Sequence, residues 1–69
     1  MARKRFRKKP VQVGETYDVN VTEVSRRGDG VARIKGFVIF IPGAQVGDQV
    51  KILIVAVKDR FAVARVLEE

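Results

Sequence analysis

The 69-residue sequence has no cysteine, no histidine and a single serine, Ser25. Without cysteine no disulfide can staple so short a chain, and the absence fits a reducing compartment. With histidine also missing, carboxylates are the only obvious metal ligands, which argues against a zinc site. No apolar run approaches the ~20 residues that a membrane span requires, and there is no signal-peptide apolar core. These absences predict a soluble, cytoplasmic protein with no membrane partner. Catalysis has little to rest on either. No phosphate-cradling GxxxxGK[ST] motif occurs, Ser25 has no base near it in sequence, and the adjacent carboxylates are Glu68 and Glu69. A non-enzyme is expected, with no cofactor and no small-molecule substrate.

What the chain does have is positive charge, unevenly placed. The formal net charge is +6, and Arg3, Lys4, Arg5, Arg7, Lys8 and Lys9 put six cations into seven positions. The remaining sequence carries eight cations and eight acids and is formally neutral. Six like charges repel one another, and Phe6 alone cannot make a core. Residues 1–10 are therefore expected to form a flexible basic arm ending at Pro10, with residues 11–69 as one folded domain. Basic arms of this kind commonly bind nucleic acid, through phosphate contacts that position more than they specify.

Beyond the arm the pattern is β throughout. Glu15–Val24 alternates, with Tyr17, Val19 and Val21 on one face, and predicts a first strand. Glycines 28 and 30 bracket Asp29 in a turn. Val31–Lys35 reads as a short strand broken by Gly36, and Phe37–Ile41 as another stopped by Pro42-Gly43. Ala44–Asp48 has room only for a helical turn. Gln49–Lys58 is apolar on both faces and rich in Ile and Val, favouring a strand at a barrel closure or a strong bend. Phe61–Leu67 returns after the Asp59-Arg60 turn. Five strands with short loops and no helix predict an all-β fold. The expectation is a small five-stranded Greek-key barrel, OB-like or SH3-like, in which closure removes exposed sheet edges.

Candidate binding chemistry concentrates in Arg26–Gly43. Arg26 and Arg27 flank the glycine turn, where they could grip a backbone. Arg33 and Lys35, two apart, would share a strand face, and Gly36-Phe37 and Phe40 follow at once. Cations beside aromatics on a β-surface suit a single-stranded nucleic acid, the cations meeting phosphates and the rings stacking on bases. Phe37 and Phe40 differ by three positions, so a regular strand sends them to opposite faces and a shared site needs a bulge or bend. Phe61, at the start of the last strand, either caps the core or stacks on a ligand. Tyr17 is read as core.

Several ordered segments resemble the TRAM domain family from about Val13 to Leu67. They are Gly14, Gly28-Asp29-Gly30-Val31-Ala32-Arg33, Gly36-Phe37-Val38-Ile39-Phe40-Ile41-Pro42-Gly43-Ala44, Val46-Gly47-Asp48-Gln49-Val50 and Phe61-Ala62-Val63-Ala64. The resemblance implies an RNA-binding OB-like barrel. Stand-alone archaeal members of the family resemble RNA chaperones comparable to cold-shock proteins. Lys35-Gly36-Phe37-Val38-Ile39-Phe40-Ile41 is also similar to the aromatic ribonucleoprotein motif of cold-shock domains, with one extra residue between the phenylalanines. The functional expectation is a monomeric, non-catalytic RNA chaperone acting on single-stranded RNA, tRNA, rRNA or mRNA. A ribosome-associated structural protein and an accessory module delivering RNA to a modifying enzyme are the alternatives.

Overall fold

The computed structural model describes residues 10–67. Arg3, Lys4, Arg5, Arg7, Lys8 and Lys9 lie outside that range, and with them the expectation of a flexible arm. The described residues form six strands and no helix: β1 (Thr16–Asn20), β2 (Glu23–Val24), β3 (Asp29–Ile34), β4 (Phe37–Pro42), β5 (Gln49–Val57) and β6 (Phe61–Val66). They make one sheet in the order β1-β5-β6-β4-β3-β2. Every neighbouring pair is antiparallel except β4 with β6, which run parallel.

The two ends of that sheet are adjacent in sequence, so the sheet curls until its edges belong to one bent segment. Val21 is the bend. Its N–H donates to the Asp48 carbonyl at 2.8 Å, and its own carbonyl accepts from Gly47 N–H at 2.9 Å. One residue later Thr22 N–H donates to the Val31 carbonyl at 2.9 Å. The chain thus leaves β5 and joins β3. The single strand expected over Glu15–Val24 is therefore two strands, because the segment changes partners while its side-chain alternation continues. Counting β1 and β2 as one bent strand recovers the five-stranded OB-like barrel, with its parallel pair between the third and last strands.

The core follows the two-residue period of the strands. Ile39 and Ile41 of β4 and Ile52 and Ile54 of β5 point inward, against Ala32, Ala62 and Ala64. Val19 and Val21 join them, as do Ala44 and Val11 from the connections. Large isoleucines facing alanines let the layers interdigitate, as close packing demands. The apolar character of both faces of β5 has a local cause. A register shift between Ile54 and Ala56 marks a bulge at Val55, which is left exposed on the outside.

Two turns depart from expectation. The β3–β4 hairpin pairs Ile34 with Phe37, leaving Lys35 (φ 53°) and Gly36 (φ 86°) as its two-residue loop. Two positive φ values are the mark of the type I′ turn that matches strand twist, where Asn-Gly is favoured. Lys35 is therefore not the last strand residue and does not share a strand face with Arg33. An L-lysine held at positive φ costs roughly 1 kcal/mol that asparagine largely avoids. Lys35→Asn is expected to raise the thermal midpoint by a few degrees, measured by circular dichroism. Over Ala44–Asp48 the chain forms a tight turn and no helical one. Asp48 N–H donates to the Gln45 carbonyl at 3.0 Å, and Gln45 N–H donates to Asp48 Oδ2 at 3.0 Å.

Tyr17 is half-buried against the core, and its hydroxyl donates to the Glu15 carboxylate. That hydrogen bond raises the phenol above its ordinary value, with desolvation and the Glu15 charge adding in the same direction.

Candidate nucleic-acid interface

The candidate site lies on the outward face of β3, β4 and β6. Alternation puts Asp29, Val31 and Arg33 of β3 on the outer face, where Val31 is itself buried, while Gly30, Ala32 and Ile34 face in. On β4, Val38, Phe40 and Pro42 face out and Phe37, Ile39 and Ile41 face in. On β6, Phe61, Val63 and Arg65 face out. Register then lines these residues up: Phe40 lies between Val31 and Val63, and Val38 lies beside Phe61. Phe40 and Phe61 are diagonal neighbours, and their rings meet edge to face, with centroids 5.5 Å apart and planes at 77°. Phe61 is 37% exposed, which leaves part of its ring open to solvent beside Phe40.

The β2–β3 loop walls this surface on one side. Ser25 N–H donates to the Asp29 carbonyl at 2.8 Å, and Gly28 N–H donates to the Ser25 carbonyl at 2.9 Å. Ser25 Oγ accepts from the N–H groups of Arg27 at 3.3 Å and Asp29 at 3.2 Å. Gly28, at φ 90°, takes the left-handed conformation that closes the loop. The result is a compact turn that presents Arg26 and Arg27 to solvent. Between loop and strands lies a groove of about 450 Å³ lined by Ser25, Arg26, Arg27, Asp29, Phe40, Pro42, Phe61 and Val63. Two cations, two rings and backbone polar groups on one concavity can hold a phosphodiester and an unpaired base together.

The groove gathers four of the residues singled out in the sequence, Arg26, Arg27, Phe40 and Phe61. Four others stand apart from it. Strand β4 is regular, so Phe37 faces inward and packs against the core, and the bulge needed to bring it beside Phe40 is absent. Lys35 and Gly36 occupy the hairpin tip. Arg33 is outward but engaged with Glu23 at 3.7 Å, both side chains well exposed. An exposed pair of this kind is weak and exchanges readily for a phosphate. Ser25, Asp29, Pro42 and Val63 are additions. Val63 follows from alternation with Phe61, and Asp29 from alternation with Val31, once β3 is known to start two residues before the predicted strand.

Two other concavities lie along β1. One, of about 340 Å³, is lined by Asp18, Asn20, Gln49 and Lys51 among others and has no ring. The second, of about 460 Å³, has Tyr17 and Arg33, but Tyr17 is tied to Glu15 and Arg33 to Glu23, and Asp18 lies beside them. Among the described residues, no group of three or more carboxylates converges to hold a metal ion.

The TRAM domain family model matches residues 10–67, nearly all of the chain outside the basic residues. The chain belongs to the TRAM domain family. TRAM domains are RNA-binding modules, and this one is similar along its length to other small proteins. A conserved protein of Methanococcus maripaludis, solved in solution, superposes with a TM-score of 0.84 at 39% identity, covering 88% of this chain and 87% of that one. An uncharacterised protein of Methanocaldococcus jannaschii is 51% identical over 55 residues, 80% of this chain and 71% of the relative. The ribosomal RNA large subunit methyltransferase E of Methanothrix thermoacetophila is 46% identical over 65 residues, 94% of this chain but 26% of the methyltransferase. This TRAM domain thus spans about a quarter of that enzyme.

Proposed function

We propose that this TRAM domain is a non-catalytic RNA chaperone that holds unpaired RNA of little sequence preference in the Phe40–Phe61 groove. The observation carrying this reading is the edge-to-face ring pair beside Arg26 and Arg27. The arm of residues 1–10 collects RNA through its charge, and the barrel of residues 11–69 then keeps bases unpaired. Because it favours open strands over helices, binding shifts misfolded RNA toward open forms by mass action, with no nucleotide hydrolysis. The protein acts as a monomer in the cytoplasm. Each stacked base contributes about 1–3 kcal/mol, so Phe61→Ala is expected to weaken binding of a short unstructured RNA at least fivefold. In a chemical-shift titration of the intact chain, amides of Ser25–Gly28, β4 and β6 are expected to move. Shifts confined to the β1 side of the barrel would overturn the assignment.

The likeness to a ribosomal RNA methyltransferase favours a second reading, in which the domain delivers RNA to a modifying enzyme. Co-purification with a methyltransferase would favour it. Strand-annealing activity of the isolated protein supports the chaperone.

A further inference from the structure

We infer that Asp29 gives the groove a bias toward bases bearing amino donors, guanine above all, and against uracil. The inference rests on the RNA-binding reading above. Asp29 is the one acid in a groove otherwise lined by cations, rings and small or apolar residues. Its N–H and carbonyl close the Ser25 loop, but its carboxylate makes no hydrogen bond or ion pair among the described residues. Placed for phosphate binding alone, it is a poor choice, since it repels the backbone that Arg26 and Arg27 attract.

Its position explains it better. Asp29 faces outward opposite Pro42, which makes it the diagonal neighbour of Phe40. A base stacked on that ring therefore presents its edge toward the carboxylate. Single-stranded RNA is read along such exposed edges. A carboxylate only accepts hydrogen bonds. Guanine offers it two adjacent donors, N1–H and the N2 amino group, one for each oxygen, whereas cytosine offers its N4 amino group. Uracil offers one N–H between two carbonyl oxygens, which the carboxylate repels. The edge-to-face geometry of the rings adds a limit. Both cannot lie flat under one base, so a single nucleotide is read, and the protein keeps low specificity overall.

The test uses the intact chain and uridine oligomers of equal length, unsubstituted or carrying one central guanosine or inosine, followed by fluorescence anisotropy. The parent is expected to bind the guanosine oligomer about five- to tenfold more tightly than the all-uridine one, with inosine, which lacks the N2 amino group, between them. Asp29→Asn and Asp29→Ala are expected to lose that preference while binding all-uridine RNA at least as well as the parent. Equal binding of the three oligomers by the parent would overturn the inference. So would a preference surviving in both variants, or a rise in affinity equal for all oligomers, since that is charge repulsion alone. Phe61→Ala separates the two readings. If it leaves all-uridine binding unchanged, the groove itself fails as the RNA site; if it weakens binding while Asp29 variants keep the preference, only the base bias fails.

Discussion

Deleting residues 1–9 is expected to flatten the salt dependence of RNA binding far more than any substitution in the groove. Six cations neutralising six phosphates of a single strand set an upper bound of about 4 on the log–log slope the segment contributes. Over a fourfold rise in salt that amounts to roughly 10²-fold in affinity. The remaining chain is formally neutral, so its own slope is expected to be shallow and to arise from local cations such as Arg26 and Arg27. Phe61→Ala acts differently. Stacking releases no counterions, so the variant is expected to shift the line of log affinity against log salt downward and leave its slope unchanged. Titrations at several salt concentrations, for parent, truncation and Phe61→Ala, separate the contributions. Identical salt-dependent losses in both altered proteins would show that the rings and the basic segment do not divide the work.

Gly30→Ala carries the largest expected effect on stability. Gly30 faces inward, and a Cβ there would sit 2.7 Å from Ala44 Cβ and 3.1 Å from both the Ala44 carbonyl oxygen and Val21 Cγ1. Ala44 Cβ is bound directly to the backbone, so no rotamer change relieves the clash and the connection after β4 must move. Overpacking of this kind costs about 1–3 kcal/mol, and in a domain of this size each kcal/mol lowers the thermal midpoint by about 4–8 °C. Restoring the space from the other side provides the control. Ala44→Gly in the Gly30→Ala background is expected to recover part of the loss, as contacting residues do in a double-mutant cycle. An unperturbed midpoint for Gly30→Ala alone would mean that Ala44 is not seated against β3 as described.

Most strand positions are legible because apolar residues recur at every second position along the inward rows, as in Phe37, Ile39 and Ile41 of β4. What escaped is what alternation does not encode. The bend at Val21 changes hydrogen-bond partners without disturbing the period, so alternation alone predicts one strand where there are two. The bulge at Val55 made β5 look apolar on both faces, and its cause became visible only with the register against β6. Lys35 reads as a strand residue because lysine seldom occupies a positive-φ turn position. In the site, Phe40 and Phe61 were legible as rings, but their pairing depends on the parallel contact of β4 with β6, a long-range fact absent from local sequence. Phe37 followed simple parity into the core side. Asp29 was hidden inside a turn motif that seemed fully explained by its flanking glycines.

The place of β6 in the sheet has a consequence for biogenesis. Although last in the chain, it lies between β5 and β4. A nascent polypeptide emerging from the ribosome can pair β3 with β4, and the bent β1–β2 segment with both β5 and β3, but β4 and β5 have no strand between them until Phe61–Val66 arrives. The sheet therefore closes between β4 and β5 only with that strand in place. Until synthesis reaches that final segment, Phe40 and its apolar neighbours are open to the very transcripts the finished molecule would grip.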